Sequence, residues 1–350
     1  MKPELNIVAN FARAEIDRVL TQGRRDISTL SQPAVDAFVQ AFRQNLAILT
    51  ARYQELYEQA KAGNKTSDQL RKQLLPIKRQ AEADFAYWQQ VATNQLDDTV
   101  KQSWAAGVGM AGDMLDIKGA SFRFATFDRM AYEASYIATQ SGPVRRLLTS
   151  IALNASDDAI NVLRNAIMEG INPRKAAKRL ATAVSASLTR CETIARTESA
   201  RAHKAGTLAR YMEAGVDYVR WMSAEQMRTC PACWAMDGRV YKAEDVPNDH
   251  PNGRCVMEAM LDEDVKASQD KYGDEWQDKL WDENIAKNTG IMQSMTDEQL
   301  SHVFGSQRQI DAFRAGAPLK SAVDIVHHKI WGDSPQVKTI YVPNNRAPQT

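Results

Sequence analysis

The chain has 350 residues, 44% hydrophobic and 25% charged, with a formal net charge of +1. This is the composition of an ordinary folded protein of one large or two to three smaller domains, and its balance excludes a chain-wide basic nucleic-acid binder. No apolar run approaches the ~20 residues of a membrane span, and the N-terminal "MKPELNIVANFARAEIDRVL" is interrupted by Glu4, Asn10, Arg13, Glu15 and Asp17, unlike a signal peptide.

In chain order, residues 4–22 read as a helix that Gly23 and Pro33 break. A second helix, about 33–61, carries Val35, Phe38, Val39, Phe42, Leu46, Leu49 and Tyr53 at three- and four-residue steps. Gly63-Asn64 stops it, and Ser67 caps a third helix to about Asp98, kinked by Pro76. The two long helices form a hairpin joined by "AGNKTS". "AAGVGMAGDM", 105–114, reads as a hinge. Residues 121–136 carry five aromatics and read as a buried or interface segment. Gly142-Pro143 is a further break. Three helices are expected over 143–214: one capped by Ser156 and ending at Gly170, one opening at Asn172-Pro173, and one ending at Gly215.

The character then changes. "VDYVRWMS" alternates and reads as a strand. Turns rich in Cys, Pro and Gly follow to about 255, and an acidic amphipathic helix or two occupies "DVKASQDKYGDEWQDKLWDENIAKNTG". The tail, 296–350, reads as a short helical pair, a strand "KTIYVP" at 338–343 and a frayed end. Charge is uneven along this plan. Residues 174–210 hold nine Lys/Arg against Glu192 and Glu198, whereas 244–283 hold thirteen Asp/Glu against four cations. Such neighbouring blocks are solvated helix faces or docking surfaces, for a partner or for each other.

Two of the four cysteines lie in "TCPACWAMDGRV". A Cys-x-x-Cys step can hold a metal, run redox chemistry, or simply be packed. With a cytosolic origin expected, a disulfide framework is disfavoured. "VPNDHPNGRCV" adds His250 and Cys255 downstream, giving Cys-x2-Cys, sixteen residues, then His-x4-Cys. Zinc takes four tetrahedral thiolate or imidazole ligands in closed structural sites. A structural Zn2+ site of Cys230, Cys233, His250 and Cys255 is therefore the favoured reading, with ordinary buried cysteines second. Redox chemistry needs a strand leading into a helix that lowers the thiol pKa, and "MDGRV" promises a turn and a strand instead. A cytidine-type deaminase needs an upstream His-x-Glu, which His203-Lys204-Ala205 does not supply. A ββα metal-dependent nuclease remains as the sharper rival, because Asp249-His250 fits its Asp-His step, although its second Cys-x-x-Cys and downstream ligand are missing. Cys191 reads as packed within a helix, and His327-His328 as a surface pair.

The series "IARTESARAHKAG", "AGVDYVRWMSAEQMRTCPACWAMDGRVY" and "HPNGRC" resembles the bacteriophage Mu F-like head morphogenesis family, the minor head proteins of tailed phages. The positions that carry the resemblance are Ala195, Arg196, Thr197 and Glu198, then Trp221, Cys230, Cys233, Asp237 and Gly238, and finally His250, Pro251, Asn252, Arg254 and Cys255. Two positions depart from the pattern. Gly253 replaces the first cysteine of the usual ending, which leaves Cys255 as the fourth ligand, and Glu225 stands where Asp is common. The resemblance covers about 155–260 well and 291–325 loosely.

It implies a structural, non-enzymatic minor capsid protein in the virion head near the portal vertex, assembled in the host cytoplasm and assisting head assembly, DNA packaging or genome delivery. Implied partners are the portal protein, with scaffolding or major capsid protein and packaged DNA as further candidates. Arg174, Lys175, Lys178 and Arg179 are candidate DNA or portal contacts. Arg196 or Glu198 is expected either to form helix-surface pairs or to reach the metal loop. The fold expected is mostly α, in four parts: an N-terminal helical arm containing a long hairpin (1–104), a helical middle domain with the Ala-Arg-Thr-Glu helix (105–214), a small zinc-stapled α+β module (215–262), and an acidic helix with a C-terminal tail (263–350).

Overall fold

The computed structural model describes residues 3–62, 67–120, 129–328 and 332–341. Ten α-helices are present among these: α1 Pro3–Leu30, α2 Gln32–Lys61, α3 Ser67–Ile117, α4 Arg129–Glu169, α5 Pro173–Glu213, α6 Pro231–Met236, α7 Asp262–Tyr272, α8 Trp276–Ser294, α9 Asp297–Phe304 and α10 Gln307–Arg314. Five strands accompany them: β1 Tyr218–Met222, β2 Val240–Lys242, β3 Val256–Met260, β4 Val323–His328 and β5 Gly332–Val337. The protein is thus mostly helical with a small sheet region, as the sequence suggests.

Several expected breaks lie inside helices. α1 runs through Gly23 and ends only before Ser31, with Pro33 in the first turn of α2, where proline is tolerated. A Cβ at Gly23 would strike the Met110 sulfur, so this glycine serves close packing rather than chain reversal. α3 continues through "AAGVGMAGDM" to Ile117, so the expected hinge is helical. Its reason lies in α5. A Cβ at Gly107 would overlap the His203 carbonyl oxygen, and one at Gly206 would overlap the Trp104 carbonyl oxygen. The two backbones cross at glycine distance, and Thr207 Oγ1 donates to Gly107 O across the crossing at 3.2 Å. α4 passes Gly142-Pro143 and buries Ser156 within its length. Two helices therefore stand where three were expected. The aromatic cluster over 121–128 and the expected frayed end lie outside the described residues, as do the side chains of 129–143.

The chain divides into two compact units, each discontinuous in sequence. Unit 2, residues 29–102 and 134–199, is helical. In it α2 and α3 run antiparallel, and the Phe42 and Phe85 rings meet edge-on at 5.7 Å between centroids. Tyr53 Oη donates to Ile171 O at 2.5 Å. Cys191 is packed here, and burial pushes its thiol up to about 12.

Unit 1 contains 1–28, 103–133 and 200–350. Its antiparallel sheet has the order β2-β1-β3, with Arg220 opposite both Val240 and Glu258. The alternation of "VDYVRWMS" is realised as β1. Trp221 is fully buried in a core that also takes Ile16, Val19, Leu20 and Ile27 of α1, Met114 and Leu115 of α3, and Tyr211 of α5. Glu258, buried on β3, is met by Lys118 at 3.4 Å and Arg220 at 3.7 Å, so part of the acidic block is neutralised within the fold. The tail holds the helical pair α9–α10 and a β4–β5 hairpin. The strand expected at 338–343 is replaced by β5 ending at Val337, and His327-His328 lie at the end of β4. Among the described residues no helix is long and apolar enough to cross a membrane.

Candidate metal centre

Two short stretches of unit 1 build the centre. The first is the start of α6. Cys230 precedes this helix in extended backbone (φ −68°, ψ 160°) and its Sγ accepts the Cys233 amide N–H at 3.4 Å, as an N-cap does. Pro231 occupies the first turn, where its missing N–H leaves no bond unmade. The expected turn is therefore one short helix, which holds the two thiols on one side.

The second stretch is 249–255. Gly253 N–H donates to His250 O at 2.8 Å, with Pro251 and Asn252 between them and Asn252 in the left-handed region at φ 62°. Proline presets one corner of such a turn and asparagine tolerates the other. The turn delivers His250 and Cys255 to the same place. His250 Nε2 lies 3.3 Å from Cys230 Sγ and 3.0 Å from Cys233 Sγ, and Cys255 Sγ lies 3.4 Å from Cys233 Sγ. Donor atoms of Cys230, Cys233 and His250 fall within 4.8 Å of one another, as do those of Cys233, Asp249 and Cys255, so Cys233 joins two overlapping groups.

The donor set fits a metal ion. Soft thiolates and an imidazole suit a borderline ion such as zinc. Bonds of ~2.0–2.3 Å in a tetrahedron need ligand separations of roughly 3.5–3.8 Å, a few tenths of an ångström beyond the distances here. His250 Nδ1 donates to Pro251 O at 2.8 Å, which fixes the ring and turns Nε2 to the sulfurs. Hydrogen bonding from Cys233, aided by His250 and opposed by burial, lowers the Cys230 thiol to about 5, while the same bond together with Cys255 raises Cys233. Burial works against the charged form of His250, but its bond to Cys230 and the charge of Asp249 carry it up to about 10. These shifts favour a thiolate at Cys230 beside a charged His250.

Buried polar groups surround it. Asp249 accepts the His250 N–H on Oδ1 and the Cys255 N–H on Oδ2, each at 2.9 Å. Lys204 of α5 donates to Pro247 O at 3.2 Å and lies 3.8 Å above the Trp221 ring. Burial lowers its pKa, against the pull of Asp249 and the thiols. Asp237, just past α6, accepts the Ser223 N–H at 2.6 Å, and burial raises its carboxyl to about 6. Gly238 has φ 78° and no room for a Cβ against Asn284. The last carbonyls of α6 are met from α8: Asn288 Nδ2 donates to Trp234 O at 3.1 Å, and Trp281 Nε1 to Ala235 O at 2.7 Å.

The Ala195–Glu198 motif and the basic residues at the start of α5 lie in unit 2. Arg196 stands 3.5 Å from Glu192, one turn back on α5 and half-exposed, which is the helix-surface pair. Thr197 Oγ1 donates to Thr193 O at 2.6 Å, and Glu198 is buried. Arg174, Lys175 and Lys178 are exposed on the first turns of α5, and Arg179 pairs with Glu169 at 2.9 Å. Sequence reasoning missed Lys204, Trp281 and Asn288, which no spacing marks. It saw Asp249 only as half of an Asp-His step.

Residues 158–258 match the family described as Phage Mu protein F like protein. Over this segment the chain is similar to that family. The match covers less than a third of the chain but holds every candidate ligand, Trp221, Lys204, Asp237 and Asp249. No curated protein and no solved structure matches the chain. The Mu F-like segment ends before α7, so the α8 side chains that close α6 come from outside it.

Proposed function

We propose that this is a structural minor head protein of a tailed bacteriophage, bound at the portal vertex and assisting head assembly, DNA packaging or genome delivery. The observation that carries the reading is the coincidence of the Mu F-like match with the Cys230–Cys233–His250–Cys255 centre. The ion is a structural Zn2+. Held by Cys230, Cys233, His250 and Cys255, it would staple α6 to the 249–255 loop and, with its four positions filled by protein, offer none to a substrate, as closed structural sites do. The rival nuclease reading requires His250 as a base, yet one ring nitrogen faces two thiols and the other is bonded to Pro251 O.

The partner is the portal protein, met through Arg174, Lys175 and Lys178, and the protein resides in the virion head. Mass spectrometry of purified virions together with metal analysis of the isolated protein tests this. Presence in heads with one zinc per chain is the expected result. A chain absent from heads, or plasmid cleavage lost in His250→Ala with the fold intact, defeats it.

A further inference from the structure

We propose that Asp249 is the positioning residue of the metal loop, and that position 253 is glycine because the Asp249 carboxylate occupies the space a side chain there would need. This rests on the metal-site reading above and goes beyond it to a residue outside the ligand set. A Cβ built on Gly253 would overlap the Cγ and both oxygens of Asp249. The carboxylate is nearly fully buried, and each of its oxygens takes one backbone N–H, from His250 and from Cys255. Those are the two ligand-bearing residues of the loop. One side chain therefore ties both ends of the loop to a single anchor, and the ligands reach the ion from a preset frame. The buried Lys204 lies close enough to feel the Asp249 charge, which opposes the lowering of its pKa by burial.

The same overlap leaves no room for a cysteine at position 253 while the Asp249 carboxylate keeps its place. A side chain at 253 and the Asp249 carboxylate exclude each other, so the glycine and the carboxylate anchor go together. Outer groups that orient ligands are worth about 10- to 100-fold in metal affinity.

The test is a double-variant cycle in the full chain, read by zinc competition against a chromophoric chelator and by the sulfur-to-cobalt charge-transfer band of the Co2+ form. Asp249→Ala is expected to weaken zinc binding by about 10- to 100-fold while far-ultraviolet dichroism stays unchanged. Gly253→Cys alone is expected to weaken binding as well. Asp249→Ala combined with Gly253→Cys is expected to recover affinity and to show a stronger thiolate-to-cobalt band. Unchanged affinity in Asp249→Ala, or parental affinity in Gly253→Cys, overturns the proposal. If Gly253→Cys fails to fold, recovery of folding and binding in the double variant supports it, and failure of the double variant with unchanged affinity in Asp249→Ala refutes it. If the parent chain binds no zinc, the metal reading falls too, whereas a zinc-binding parent with indifferent variants refutes only this inference.

Discussion

At the residue scale, the chemistry of the centre turns on protons. His250 is raised from its ordinary value to about 10, so its contribution to stability is fully present below about 6.5 and is lost as pH rises through about 10. Cys230 is lowered to about 5, so its contribution is present above about 9 and is lost as pH falls through about 5. The two shifts together favour a charged Cys230–His250 pair between about 5 and 10. A zinc ion must displace the His250 proton and the proton held on Cys233, because it binds neutral imidazole and thiolate. Calorimetric titration of zinc into the chelator-stripped chain at pH 7, in two buffers of different ionisation enthalpy, should show more than one proton released per ion. Affinity should strengthen as pH rises from 6 to 8. A buffer-independent heat would rule this arrangement out. The four candidate ligands are legible in the sequence because Cys-x2-Cys and His-x4-Cys are local patterns, and the fold brings these residues together. Asp249 as their anchor is not, because its role depends on the space above Gly253, which only the folded loop defines.

At the element scale, glycine was misread where it serves packing. In "AAGVGMAGDM" and at Gly23 the sequence suggests flexibility, and propensity does favour a break there. The folded chain uses the missing Cβ instead, at Gly107 to bring α3 and α5 into backbone contact and at Gly23 to seat the Met110 side chain. Residues 107 and 206 are about a hundred positions apart, so no window of sequence displays the crossing. Gly206→Ala tests it. Helix propensity alone would stabilise the protein by about 0.5–1 kcal/mol. The overlap with the Trp104 carbonyl is against backbone, which yields less readily than a flexible side chain, and overpacking of this kind costs roughly 1–3 kcal/mol. The crossing therefore wins, and thermal melting of Gly206→Ala should show net destabilisation. Gly109→Ala, with open space at its Cβ, is the control and should hold or gain stability. Equal behaviour of the two variants would remove the crossing as the reason for the glycine. The α6 helix makes a parallel case. Its six residues were read as a turn because they are too few to show a helical period, and its ends are satisfied by Cys230 and, from α8, by Trp281 and Asn288.

At the scale of the whole molecule, the charge of +1 bears on which partner the exposed cations of α5 meet. Non-specific duplex binding grows with the number of phosphates neutralised, each adding about 0.9 to the slope of log affinity against log salt. Arg174, Lys175 and Lys178 are exposed on one helix start, while Arg179 is held by Glu169. Three phosphate contacts give a slope of only about −3, weak for a chain with no chain-wide basic field to assist. The same three cations on an acidic protein surface gain in specificity and association rate from complementarity. The combined substitution Arg174→Ala, Lys175→Ala and Lys178→Ala should therefore slow association with portal rings by about tenfold or more at low salt, an effect that shrinks as ionic strength rises. Zinc content should be unaffected, since these residues lie in unit 2 and every candidate ligand lies in unit 1. Surface-plasmon measurements on immobilised portal rings and on arbitrary duplex, over a salt series, separate the cases. Duplex binding whose salt slope drops by about 3 in the variant, with portal binding untouched, would make the genome rather than the proposed portal the partner of this surface.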